Sequence, residues 1–367
     1  PKPRKSNTML VVFGVLAVLT LLVPMLVNLY TEFRWFGELD YRSVFTKVIL
    51  VRIVLFVLFA LVGGAITFAA AFFTWRTREK NSVFSDPNSP VAQYQASIQS
   101  TVRGLLVWVP IIVGVVTGVL GQGTWRTFML WLNGGDFGTT DAQFGRDLGF
   151  YAFALPVLSL IVSVLSMLLV IAFLVGVVGQ YLLGGIRVAN QVAGTKGYIS
   201  TAARIQLAAT AGLWLLVKAV DYWLQRYSLL YGKNDIFTGA SYTDINAQLP
   251  ARIILIVIAV LVAAAFFASI VFKDFRIPVL ATVLMVLSSL VIGQAWPALI
   301  QQFSVNPNRQ ERESEYIARN IEATREAYGL TDDKVTYETN WGAEPANDGE
   351  VGNDSATISN IRLLDPD

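Results

Sequence analysis

The stretch AFALPVLSLIVSVLSMLLVIAFLVGVVGQYLL, residues 152–183, contains no charged side chain. A bilayer core of about 30 Å is crossed by about 20 apolar helical residues. Six further apolar runs lie at 9–30, 48–73, 105–121, 205–224, 253–272 and 277–300, separated by short charged segments. Lipid imposes this pattern, because every backbone polar group must pair within its own segment. Of the 367 residues, 54% are hydrophobic and 15% charged, against roughly 25% charged in soluble domains. The sequence therefore predicts an all-α polytopic membrane protein built as a seven-transmembrane-helix bundle. The run 9–30 exceeds a signal-peptide core and is followed by no small-x-small cleavage site, so it reads as an uncleaved first helix.

Basic residues fix the expected orientation. One set of alternate loops carries twelve Lys and Arg against Glu79, Asp86 and Asp274. The opposite set, including Arg34, Arg42, Lys47 and Arg252, carries eight against eight acids. The positive-inside rule places the N-terminus in the cytoplasm and, after seven crossings, the C-terminal region outside the plasma membrane. The fifth span is the shortest, with 205–217 uninterrupted before Lys218. It crosses if Tyr222, Trp223 and Leu224 extend it while Lys218 snorkels; otherwise it is re-entrant and the tail is cytoplasmic.

Prolines and glycines suggest the joints. Pro250 and Pro278 fall at the expected first turns of spans six and seven, where a missing N–H costs nothing. Pro24, Pro110 and Pro156 lie inside or near the ends of other spans. Gly114, Gly118 and Gly121 line one face of span three, which suits close helix packing within the chain or a dimer seam.

From Ser304 the composition changes to six basic residues against fourteen acids. Asn308 with Glu311 reads as a capping-box helix start. Ile317, Ile321, Thr324 and Tyr328 share one face, and Gly329 ends the helix. Residues 335–341 and 358–364 read as strands around a Gly/Asp/Asn-rich loop. One helix and two strands make too small a core. The expected division is thus a transmembrane domain at 1–303 and, at 304–367, the beginning of an α+β extracytoplasmic domain.

The run Val305-Asn306-Pro307-Asn308, followed by the segment from Glu315 to Leu330, resembles the signature of the UPF0182 family. So do Leu229-Leu230-Tyr231, the segment Gly239–Asp244 with Leu249-Pro250-Ala251, and Ile358–Leu363. These are uncharacterised bacterial membrane proteins, mainly actinobacterial. The resemblance implies about seven N-terminal spans followed by a large extracytoplasmic domain. It covers essentially the whole chain, as the N-terminal part of a longer protein. One departure stands at Asn308-Arg309, where most members have Asn-Glu. The family supplies no catalytic residue to carry over.

Without Cys or His, disulfides, thiolate or imidazole metal sites and Ser-His-Asp chemistry are excluded within these residues. No nucleotide, phosphate-loop or paired-carboxylate motif stands out, and no cofactor or nucleic-acid partner is expected. Charged residues inside spans are the default functional candidates. Arg52 in span two either snorkels, pairs with Asp221 or meets a substrate anion. Lys218 and Asp221, three apart in span five, pair with each other or line a polar path. Tyr242 and Asp244, in the outer loop 231–249, either cap the entry to span six or contact a partner. Arg34-Trp35-Phe36-Gly37-Glu38 has the composition of an interfacial belt. The expected role is a scaffold whose partners are the lipid bilayer, other membrane or envelope proteins and, through the glycine face, a second copy. A transporter or lipid-handling permease and an envelope enzyme with an outer active site are the alternatives. Only one acid within the spans, and no obvious inverted repeat, count against a proton-coupled transporter.

Overall fold

A computed structural model describes residues 8–78, 90–187, 197–234 and 237–336. Long helices dominate: α1 (Thr8–Glu38), α2 (Arg42–Arg76), α3 (Pro90–Gln122), α4 (Trp125–Leu132), α5 (Leu155–Leu182), α6 (Thr201–Ser228) and α7 (Leu249–Phe272). They are followed by α8 (Arg276–Leu290), α9 (Trp296–Ile300) and α10 (Arg309–Ala327). Among the described residues, six helical stretches are long and apolar enough to cross a membrane: Arg42–Arg76, Gly104–Gln122, Phe150–Leu182, Thr201–Tyr231, Asp244–Phe272 and Arg276–Ala327. The expected first span, 9–30, lies within α1. The strands expected at 335–341 and 358–364 fall almost wholly outside the described residues.

The segment around Lys218 is a single helix of 28 residues, about 42 Å at 1.5 Å per residue. Helix α6 is therefore long enough to cross. It packs on α7 and α5. Ala208, Leu215 and Ala219 of α6 meet Ala259, Val262, Ala263 and Phe266 of α7, with Met285 of α8 completing the cluster. Alanines on both faces let the backbones approach closely, as helix pairing in lipid requires. Outward-facing side chains are large and apolar: Leu61 and Leu132 are each 67% exposed. Water would not tolerate so much apolar surface; acyl chains do.

The glycines of α3 are consumed within the chain. A Cβ on Gly114 would lie 2.8 Å from the Ala60 carbonyl oxygen, and one on Gly118 would lie 2.8 Å from that of Phe56. At Gly121 it would meet the Phe59 ring at 2.3 Å. This face is packed against α2 and is not free to form a seam with a second copy.

Four π-helical segments each end two residues before a proline: Phe150–Ala154 before Pro156, Asp244–Gln248 before Pro250, Val291–Ala295 before Pro297, and Gln301–Val305 before Pro307. Proline cannot donate to the carbonyl four residues back and crowds it. Widening the turn to an i→i+5 register lets the helix continue and re-satisfies freed groups. This corrects the expectation for Pro250. The helix already begins at Tyr242, so Pro250 is internal to it, whereas Pro278 does sit in the first turn of α8.

The expected helix start at Asn308 is found: α10 begins at Arg309 after a 3-10 turn at Asn306–Asn308, and Asn308, at φ −123° and ψ 38°, stands outside helical geometry. From Arg276 to Ala327 the chain is one helical run of 52 residues. Asn308 makes no side-chain cap bond to the backbone; its Nδ2 donates to Glu311 Oε2 at 3.4 Å. The C-terminal stop is as expected, with Gly329 at φ +67° and the Leu330 amide donating to the Arg325 carbonyl at 2.7 Å. The short strands β1 (Ile186–Arg187) and β2 (Tyr198–Ile199) form an antiparallel pair leading into α6.

Candidate functional site

Helix α6 runs between two polar clusters, one at its Ser200 end and one beyond its Ser228 end, where the loop to α7 carries Tyr242 and Asp244. Ser241-Tyr242-Thr243-Asp244 is a reciprocal cap. The Asp244 amide donates to Ser241 Oγ at 3.2 Å, and the Ser241 amide donates to Asp244 Oδ2 at 2.9 Å. Gln248 Nε2 adds a bond to Asp244 Oδ1 at 2.7 Å. Each of these donors belongs to the turn or to the helix it starts, so Asp244 is buried (7% exposed) with its oxygens satisfied.

Helix α10 docks onto this cap. The Tyr242 amide, one of the helix's free N–H groups, donates to Glu313 Oε2 at 3.0 Å. Glu313 is 3% exposed, and its carboxylate stands at the positive end of the α7 helix. Arg312 Nη1 reaches the Tyr242 hydroxyl at 3.2 Å, Asn246 Nδ2 reaches the Tyr316 hydroxyl at 3.1 Å, and Asn320 Nδ2 reaches the Thr238 carbonyl at 2.6 Å. Thr243 donates to Gln301. Residues 313, 316 and 320 recur at helical spacing, so one face of α10 forms the clamp. It is a polar face. On the face read from Ile317, Ile321, Thr324 and Tyr328, Ile321 is 46% and Tyr328 79% exposed. Beneath the clamp is a cavity of about 380 Å³ bordered by Lys233, Asp244, Gln248, Gln301, Arg309 and Glu313.

Two aspartates order the neighbouring loop between α4 and α5. Asp141 accepts the amides of Gln143, Phe144 and Arg146 at 2.9, 2.6 and 2.8 Å, and the Tyr151 hydroxyl at 2.8 Å. Burial disfavours its charge, but the amides of Phe144 and Arg146, the Tyr151 hydroxyl and the Gln143 amide outweigh it and hold the carboxyl below 3.8. Asp147 accepts the amides of Phe137, Gly138 and Gly149. The Phe137 amide leads in holding it below the same value.

The remaining charged candidates are structurally satisfied. Lys218 Nζ and Asp221 Oδ2 form an ion pair at 2.6 Å, one turn of α6 apart, with Lys218 also 5.5 Å from the Tyr222 ring centroid. Arg52 is exposed and lies 5.6 Å from the ring centroid of Trp125 on α4, a cation–π contact. Arg52, Lys218 and Asp221 are not brought into one site.

The Ser200 end holds a constellation that the spacing of residues does not announce. Gln206 Oε1 accepts from Thr74 Oγ1 at 3.0 Å and from Gln180 Nε2 at 2.9 Å, while Gln206 Nε2 donates to the Ala70 carbonyl at 2.9 Å. Thr74, Gln180 and Gln206 are 1%, 1% and 5% exposed. The three side chains come from α2, α5 and α6. Ser200 caps α6 alongside, accepting from the Ala203 amide at 3.1 Å. Just beyond, Nη1 of Arg78 and Nη1 of Arg204 are buried with no hydrogen-bond partner among the described residues. A polar residue between Ile205 and Leu207 at the start of an apolar span, as at Gln206, was the available signal. Among the described residues no group of three or more acids is placed to hold a metal ion.

Comparison with known proteins gives one consistent result. A UPF0182 protein of Corynebacterium glutamicum is 57% identical over all of this chain and 37% of its own length. That of Corynebacterium diphtheriae is 56% identical over the same shares. That of Mycolicibacterium vanbaalenii is 49% identical over 99% of this chain and 36% of its own length. The chain thus spans little more than a third of these relatives. No solved structure matches it. With the profile of the uncharacterised protein family UPF0182 matching residues 9–367, the chain belongs to that family.

Proposed function

We propose that the chain is the membrane anchor of a plasma-membrane scaffold that holds an extracytoplasmic domain at a fixed position above the bilayer. Residues 1–303 form its seven-span, N-in and C-out transmembrane domain, and 304–367 begin the outer domain. The observation that carries this reading is the helical run Arg276–Ala327, clamped to the start of α7 through Glu313. A bundle that passes a rigid helix to whatever follows, and fixes its direction by polar contacts, has the mechanics of a mount. Partner proteins of the membrane or envelope are then bound by position and not transformed.

Single-cysteine variants test the orientation, since the chain has no native Cys. In intact cells an impermeant maleimide is expected to label Ser314→Cys, and to label Asp274→Cys only after permeabilisation. The reverse pattern removes the proposed arrangement. The scaffold role itself fails if purified full-length protein turns over a substrate with no partner present.

A further inference from the structure

Helix α1 packs on α2, and between them lies an open groove of about 460 Å³ lined by Leu26, Leu29, Tyr30, Phe33, Phe45, Thr46 and Ile49. That volume is in the range of small-molecule sites, roughly 300–1,000 Å³. Its one aliphatic hydroxyl is already used, Thr46 Oγ1 donating to the Arg42 carbonyl at 2.6 Å. A cation stands at the mouth. The Arg42 guanidinium carbon lies 5.1 Å from the ring centroid of Phe33, a wall residue. Gly37 makes room for it, since a Cβ there would lie 2.7 Å from Arg42 Nη2. Arg42 forms no ion pair among the described residues.

We propose that this groove binds one anionic phospholipid, its acyl chain between α1 and α2 and its headgroup phosphate on Arg42. The inference rests on the bilayer reading of the helices but not on the scaffold role or the orientation. An apolar channel with a charged mouth matches an amphiphile. A second helix fits less well, because helices pair in lipid through small residues or cross-helix hydrogen bonds. This wall consists of large side chains and, the Tyr30 hydroxyl apart, offers no spare donor. A flexible chain conforms to such a wall, and a guanidinium held over a ring keeps donors for a phosphate.

Native mass spectrometry of the full chain in mild detergent, titrated with phosphatidylglycerol or phosphatidylcholine of equal chain length, tests this. The native protein should retain phosphatidylglycerol over phosphatidylcholine by about fivefold, the worth of one basic side chain near an anionic surface. Arg42→Gln should lower phosphatidylglycerol retention to that of phosphatidylcholine while leaving the latter unchanged, and Ile49→Trp should lower retention of both. An undiminished preference in Arg42→Gln, or unchanged retention in Ile49→Trp, overturns the assignment. So does a dimer of the native protein that Ile49→Trp abolishes, because the occupant would then be a helix.

Discussion

The two ends of α6 both bury polar side chains, and they satisfy them by different routes. At the Asp244 end a local carboxylate cap is joined by long-range bonds: a serine and an aspartate three residues apart cap one helix, and a glutamate from α10 completes the cap. At the Ser200 end the glutamine bonds are neutral and long-range, joining α2, α5 and α6 through one side chain. The first arrangement starts a helix and recruits another to it. The second ties three helices together where lipid offers no alternative partner. A carboxylate belongs at the Asp244 end because helix N-termini favour negative charge; amides suit the other because burying a neutral group costs less than burying a charge.

The contrast can be broken most forcefully at Gln206. Replacing it with Leu leaves the Gln180 amide and the Thr74 hydroxyl in the interior with fewer partners and removes the tie to α2. A loss of about 2 kcal/mol is expected, measured as unfolding in mixed detergent micelles. A loss below the error of that measurement would show that the network is dispensable. Asp244→Ala comes next. It deletes the acceptor of Ser241 and Gln248, and losing such a cap costs about 1–2 kcal/mol. Because the cap also presents Tyr242 to Glu313, a spin label on α10 should gain mobility in this variant while remaining unaffected by Gln206→Leu. Equal mobility in both variants would dissolve the distinction between the two ends.

The smallest effect is set by pH. Asp141 and Asp147 are both held below the ordinary carboxylate value in the folded loop. Groups shifted downward stabilise the folded state above their unfolded pKa, near 3.9, and that contribution disappears as pH falls through the lower folded values. Backbone amides at Phe137, Phe144 and Arg146 should therefore exchange hydrogen faster below about pH 4, with protection unchanged between pH 5 and 8. Exchange that is already fast at pH 7 would show the loop is held by something else.

Much of this was legible along the chain. Apolar length marked the helices, including the one interrupted by Lys218, whose charge is met three residues later by Asp221. The cap at Ser241–Asp244 was readable as a turn entering span six, because its partners lie within one helical turn. Gly329 was readable as a stop for the same reason. The start of α10 was readable at Asn308 and Glu311, although the Asn308 side chain bonds Glu311 and caps no backbone amide. Its docking face, made by Glu313, Tyr316 and Asn320, was not legible, because their partners lie at Thr238, Tyr242 and Asn246, far along the chain.

By itself the sequence determined the solvent of this protein and the helices that solvent demands, because apolar length and local capping are properties of neighbouring residues. Tertiary structure alone decided which polar groups meet: Gln206 with Gln180 and Thr74, Glu313 with the Tyr242 amide, and the α3 glycines with the α2 carbonyls. Those pairings join residues tens to more than a hundred positions apart. Helix packing sets their geometry, and no spacing along the chain encodes it.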